Sequence, residues 1–171
     1  MERNNILKKL GISALSEMQE QVTQAFSQSA ADIVVLSPTG TGKTLAYLLP
    51  LVESIDLSSD ALQAMVIVPG RELALQSASV LASMGCGVRG YACYGGRMAM
   101  DEHREMRKVC PQIVFGTPGR LIDHLDKENL SPYAIRTLVI DEFDKCLDMG
   151  FADEMMTLMH RLKDVRRHVL L

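Results

Sequence analysis

Two stretches of this chain carry residue types that could do phosphate chemistry. The first is Ser37-Pro38-Thr39-Gly40-Thr41-Gly42-Lys43-Thr44. Gly40 and Gly42 let the backbone turn tightly and aim N–H groups at an anion, at the positive end of the helix that follows. Lys43 adds a point charge for terminal phosphates, and the Thr44 hydroxyl is a ligand suited to Mg²⁺. The second stretch is Asp141-Glu142-Phe143-Asp144. Asp141 could hold Mg²⁺ opposite Thr44, and Glu142 could orient or deprotonate an attacking water. These are the two halves of a phosphoryl-transfer site, a chemistry that asks the protein mainly for positioning and charge neutralisation. The strict G-x-x-x-x-G-K-[ST] pattern is not met, because Ser37 stands at the first glycine.

Such residues act only if secondary structure brings them together. Ile33–Leu36 reads as a buried strand leading into the first stretch, and Leu45, Leu48, Leu49 and Val52 mark one face of a helix over 43–55. Pro50 inside that helix removes a backbone bond and should bend it. Further short apolar runs read as strands at 64–68, 88–94, 113–115, 138–140 and 169–171. Helical spacing recurs between Gly11 and Phe26 (Met18, Val22, Ala25, Phe26), over 73–84, over 101–109, from Arg120 through Leu125, and in Phe151, Met155, Leu158, Met159 and Leu162. That last stripe reads as core packing, since methionine fills irregular gaps. Met1–Leu10 is polar and reads as frayed at its start.

Continuous apolar strands alternating with amphipathic helices predict an α/β fold: a mostly parallel sheet with helices on both faces. Every loop with unusual residues then lies at the C-terminal end of a strand: Ser37–Thr44, Pro69–Glu72, Gly95-Gly96, Thr117–Arg120 and Asp141–Asp144. Ligands of open α/β sheets bind outside those ends, so one rim should gather all five.

Bulk properties narrow the classes. At 171 residues and 47% hydrophobic content the chain fits one domain with one core. It holds no run long enough to span a membrane and no signal-peptide pattern. Cys86, Cys93, Cys110 and Cys146 form no C-x-x-C pair, and the four histidines are scattered. Buried, reduced thiols in a cytoplasmic protein are expected, and no metal cage. The net charge of −3 is unlike that of proteins that grip nucleic acid through a broad basic face, so a nucleic acid bound here should be held by few phosphate contacts with shallow salt dependence.

Taken together, these stretches resemble the first RecA-like domain of the DEAD-box RNA helicases, over nearly the whole chain. Ser37–Thr44 is similar to that family's phosphate loop, which has a small residue at its first position. Pro69-Gly70-Arg71-Glu72-Leu73-Ala74 resembles its P-T-R-E-L-A segment, and Gly95-Gly96 and Thr117-Pro118-Gly119-Arg120 its next two signatures. Asp141-Glu142-Phe143-Asp144, followed by Leu147 and Gly150-Phe151, resembles D-E-A-D-x-x-L-x-x-G-F.

The resemblance implies ATP and Mg²⁺ as cofactors, with Gln19 reading adenine. It implies that Pro69, Arg71, Gly95, Gly96, Thr117, Pro118, Gly119 and Arg120 hold the backbone of single-stranded RNA or a short duplex, largely without regard to sequence. Arg71 and Arg120 would supply charge and the glycines backbone N–H groups. Asp144 would couple the nucleotide site to the rest of the machine. The family's S-A-T segment and a second RecA-like domain with arginine fingers would follow Leu171 in a monomeric parent. Such fingers are worth roughly 10³–10⁵ in rate, so residues 1–171 alone should bind nucleotide weakly and turn it over hardly at all.

The sequence departs from the family at four places. Phe143 replaces a small residue, which should crowd the packing near Asp144. Gly70 replaces a threonine that could touch RNA. Glu17 replaces a proline just before Gln19, which should loosen that segment. An upstream adenine-stacking aromatic has no counterpart in Met1–Leu10, which should lower nucleotide affinity. Two other readings stand beside RNA unwinding: a nucleotide-gated RNA clamp without turnover, and a different P-loop enzyme such as a DNA translocase.

Overall fold

A computed structural model gives the structure of the chain, describing residues 3–96 and 98–171. Its elements, in order, are α1 (Arg3–Lys9), α2 (Glu17–Gln28), β1 (Ile33–Val34), α3 (Lys43–Glu53), β2 (Ala64–Ile67), α4 (Arg71–Met84) and β3 (Gly90–Cys93). They continue with α5 (Ala99–Val109), β4 (Ile113–Gly116), α6 (Pro118–Asp126), β5 (Thr137–Ile140), α7 (Phe143–Asp148), α8 (Ala152–Arg161) and β6 (Arg167–Leu170).

The six strands form one all-parallel sheet in the order β1-β6-β5-β2-β4-β3. Strand side chains alternate between faces. Ala64, Val66 and Val68 therefore pack with Val139, Phe115 and the buried sides of α2, α3 and α4. Met65 and Ile67 face the other way, onto Val114, Leu138, Leu121, Cys146 and Leu158. The single core expected from length and composition is thus two, because a sheet covered by helices on both faces buries each face separately.

Several expectations are corrected. Ile33–Leu36 is not a buried strand: only Ile33 and Val34 pair, and Val34 and Leu36 are exposed while Ile33 and Val35 are buried. β1 is a sheet edge bonded to β6 alone, and its buried residues join the first core while the second does not reach it. Within Met1–Leu10, Arg3–Lys9 is a docked helix. Ile6 is buried, Arg3 makes a two-pronged ion pair with Glu53 at 2.8 and 2.6 Å, and Lys9 Nζ donates to the Gly85 carbonyl at 2.7 Å. Met1 and Glu2 lie outside the described residues.

α3 runs through Pro50 to Glu53. Of the methionine stripe, Met155, Leu158 and Leu162 are buried, but Met159 lies on the flank of α8 and is exposed. Three thiols are buried, while Cys110, a left-handed residue closing α5, is only partly so. No helix among the described residues is long and apolar enough to cross a membrane.

Candidate functional site

The strand order sorts the five special loops. Ser37–Thr44 follows β1 and Asp141–Asp144 follows β5, on one half of the rim. Pro69–Glu72 follows β2, Thr117–Arg120 follows β4 and Gly95-Gly96 follows β3, which are three adjacent strands on the other half. The hydrogen-bonded pair β5–β2 is the seam between the halves.

In the first half, Gly40 and Gly42 have φ of +81° and +86°. This left-handed region is strained for any residue with a Cβ. A Cβ on Gly42 would also lie 2.5 Å from Gln19 Nε2. Ser37 keeps a negative φ, so no glycine is needed there. Its hydroxyl instead meets Thr41 Oγ1 at 2.7 Å, and Thr41 Oγ1 donates to the Pro38 carbonyl at 2.9 Å, tying the loop across its base. Lys43 Nζ donates to the Ser37 carbonyl at 3.2 Å, holding the ammonium over the loop. Thr39, Gly40, Gly42, Lys43, Thr44, Gln76, Asp141 and Glu142 line one cleft of about 360 Å³. A larger hollow of about 520 Å³ over α1 and α2 contains none of these groups.

Asp141 is 2% exposed, and its carboxyl is pushed up to about 6 from an ordinary 3.8. Burial is the main cause and Glu142 the second, opposed by Lys43. One oxygen, Oδ2, is buried without a hydrogen-bond partner. A desolvated carboxylate beside a second one, sharing a cleft with the Thr44 hydroxyl, is a hard oxygen donor set whose crowded negative charge a divalent cation would relieve, so these residues fit Mg²⁺. Glu142 sits at φ +53°, left-handed without being glycine, which costs about 1 kcal/mol or more. Its carboxylate pairs with Lys145 at 2.9 Å. Neither the strain nor this pairing was among the expectations from the sequence.

Gln19 is buried, and its amide has two structural duties. Oε1 accepts from Ser16 N–H at 2.9 Å, completing a capping box at the start of α2, and Nε2 donates to the Gly42 carbonyl at 3.2 Å. One N–H and one lone pair remain, the complement of a base edge with one acceptor and one donor. The segment around Gln19 is therefore tied down, not loosened by Glu17, which occupies the first position of α2 and accepts from Gln21. Phe143 is not crowded either. It packs partly buried against the second core and lines an apolar hollow of about 320 Å³ with Val34, Leu36 and Leu171. Lys43 and exposed Asp144 border the same hollow.

In the second half, Arg71, Gly95, Gly96 and Gly119 are exposed, Thr117 is half-buried, and Pro69 and Pro118 are buried and shape the backbone. The Arg71 guanidinium lies over the Tyr94 ring, 4.8 Å from its centroid. Gly70 is the N-cap of α4 and offers no side-chain bond, so replacing threonine removes a helix cap as well as a hydroxyl.

Arg120 is corrected most. Its guanidinium is turned inward: Nε donates to buried Glu102 at 2.7 Å, with Asp123 3.5 Å away. Glu102 also accepts from Tyr94 N–H at 3.1 Å and meets His124 Nε2 at 2.8 Å, while Asn129 supports His124 Nδ1 at 3.1 Å. Glu102 thus braces the loops after β3 and β4 against each other. Sulfur of Cys93 joins Glu102 and His124 in a cluster within 4.8 Å. Both Glu102 oxygens are already engaged and a guanidinium stands beside them, so the cluster is a brace, not a metal cage.

A sequence profile of the family described as DEAD/DEAH box helicase matches residues 16–171. The chain is 37% identical over 166 residues to the ATP-dependent RNA helicase CshA of Listeria monocytogenes, covering 96% of this chain and 32% of that protein. It spans about a third of the length of the curated relatives it matches. Its structure superposes on a DEAD box protein from the hyperthermophile Methanococcus jannaschii with a TM-score of 0.89 at 27% identity, covering 97% of this chain and 46% of that one. Against Mss116p bound to single-stranded RNA and AMP-PNP the TM-score is 0.87 at 25% identity, covering 99% and 37%. The profile begins at Ser16, which caps the helix bearing Gln19, and runs through every loop of the rim to Leu171. The chain belongs to the DEAD/DEAH box helicase family.

Proposed function

We infer that this chain is the first RecA-like, ATP-binding domain of an ATP-dependent RNA helicase. Its parent couples ATP binding and Mg²⁺-assisted hydrolysis to clamping single-stranded RNA and opening short duplexes. The observation that carries this reading is the divided rim: phosphate loop and acidic pair on one half, three adjacent loops rich in exposed backbone on the other. Relatives named ATP-dependent RNA helicase support it, as does the likeness to Mss116p, a protein seen with single-stranded RNA and AMP-PNP.

In this reading Lys43 and the loop N–H groups hold the phosphates, and Thr44 and Asp141 hold Mg²⁺, which neutralises charge on them when bound. Gln19 reads adenine with its remaining donor and acceptor. Glu142 orients the attacking water, and Asp144 passes the state of the site to a second RecA-like domain of the same parent. Arg71 and the N–H groups of Gly95, Gly96 and Gly119 contact RNA phosphates, while Arg120 holds the shape of that face. The parent acts as a monomer in the cytoplasm.

Thermal melting of this chain tests the nucleotide half. Mg·ADP at about a hundred times its Kd should add about 2.7 kcal/mol. Mg·GDP should add little, and Lys43→Ala should remove the ADP effect. An equal shift with GDP would overturn the role of Gln19, and a shift retained in Lys43→Ala would overturn the site.

A further inference from the structure

Three elements meet behind Asp141, and each brings a buried polar atom to the meeting. Tyr47 on α3 and Ser77 on α4 are both wholly inaccessible. Tyr47 Oη, Ser77 Oγ and Asp141 Oδ2 each lack a partner at good hydrogen-bond geometry. The Tyr47 hydroxyl nonetheless faces both the Ser77 hydroxyl and the Asp141 carboxylate. A buried polar atom left alone costs about 1–3 kcal/mol, so three orphans at one point would be a severe defect unless they serve one another.

Their donor and acceptor inventory closes the set. An ionised carboxylate only accepts, whereas a tyrosine hydroxyl donates once and still accepts, and serine can donate to it. Ser77 O–H to Tyr47 Oη, and Tyr47 O–H to Asp141 Oδ2, satisfies all three with small side-chain rotations. We propose that Tyr47, backed by Ser77, is the positioning residue for the Mg²⁺-holding carboxylate: its hydroxyl pins the inner oxygen of Asp141 and leaves the other for the cleft shared with Thr44.

Tyr47 lies one helical turn beyond Lys43-Thr44 on α3, so the phosphate loop and the carboxylate are held in register by one side chain. Ser77 extends the contact to α4, the helix that begins at Arg71. The ring needs no hydroxyl to belong to the first core, which it shares with Leu45, Leu48, Leu49 and Leu51 of the same helix. The hydroxyl is therefore present for Asp141.

This inference rests on reading Thr44 and Asp141 as the Mg²⁺ pair, and its test separates the two ideas. The Mg²⁺ concentration that half-saturates the ADP-induced melting shift is measured for the 171-residue chain, for Tyr47→Phe and for Ser77→Ala, with ADP in EDTA as the metal-free reference. Loss of an outer-sphere partner typically weakens metal binding 10–100-fold. Tyr47→Phe should need about tenfold more Mg²⁺ while its metal-free ADP shift stays unchanged, and Ser77→Ala should show a smaller rise. A Tyr47→Phe midpoint equal to the wild-type value overturns the proposal, as does an equal loss with and without Mg²⁺. Should Tyr47→Phe fail to fold, Ser77→Ala decides: a raised midpoint supports the proposal and an unchanged one overturns it. If wild-type ADP binding shows no Mg²⁺ dependence, the metal assignment falls and this inference with it.

Discussion

Replacing Asp141 by asparagine should make the metal-free domain more stable while abolishing the extra stabilisation that Mg²⁺ adds to bound nucleotide. The carboxyl is 2% exposed, sits beside Glu142, and is raised from 3.8 to about 6 in the folded chain. At 1.36 kcal/mol per pH unit, this disfavours the folded, ionised form by roughly 3 kcal/mol at neutral pH. The sign follows from proton uptake. Below about pH 4 the group is protonated in both states and contributes nothing. Between about 4 and 6 the unfolded chain ionises first, so stability falls as pH rises, and above about 6 the full penalty is present.

Asparagine has the same shape and no charge, so Asp141→Asn should gain roughly 2–3 kcal/mol at pH 7.5, or about 4–12 °C for a domain of this size. The gain should shrink toward zero as pH falls to about 4. Urea or thermal unfolding in EDTA across that range is the assay. A variant no more stable than wild type at pH 7.5, or a gain that does not vary with pH, would refute the claim that Asp141 is held charged against its surroundings. The same variant should show no added stabilisation from Mg·ADP over ADP in EDTA.

Other perturbations have outcomes set by the same structure. Gly42→Ala places a methyl 2.5 Å from Gln19 Nε2 at φ +86°, so it should lower stability by about 1–3 kcal/mol and weaken ADP binding; unchanged melting would contradict the loop geometry. Glu102→Ala leaves Arg120 and His124 without their shared acceptor and should cost about 3–5 kcal/mol in urea unfolding. A loss below about 1 kcal/mol would mean that the brace is not structural. Gly70→Thr supplies the missing cap of α4, meets nothing within 4 Å, and should add up to about 1 kcal/mol; a loss of stability would contradict the open N-cap.

The parts of this fold legible in the sequence are those governed by local rules. Continuous apolar runs such as Met65–Val68 read as central parallel strands because both faces are covered, and both are. That Lys43, Thr44, Asp141 and Glu142 share one cleft was legible because phosphate chemistry needs particular residue types just after a strand. Ile33–Leu36 looked equally apolar, yet nothing in its composition marks it as the uncovered edge. Arg120 read as a free charge because its partner Glu102 lies 18 positions away on another element. Gln19 takes its reader role only from the resemblance, and its bond to Gly42 emerges only when α2 meets the phosphate loop. The short helices α1 and α7, of 7 and 6 residues, escape periodicity, which needs a window of about eleven residues or more to show.

The most direct test of the central claim is ATP hydrolysis by the full-length protein, with and without single-stranded RNA, beside its Glu142→Gln variant. Turnover that rises on adding RNA and vanishes in the variant is the expected result. ATP-dependent RNA binding without turnover would contradict it and mark the protein as a nucleotide-gated clamp.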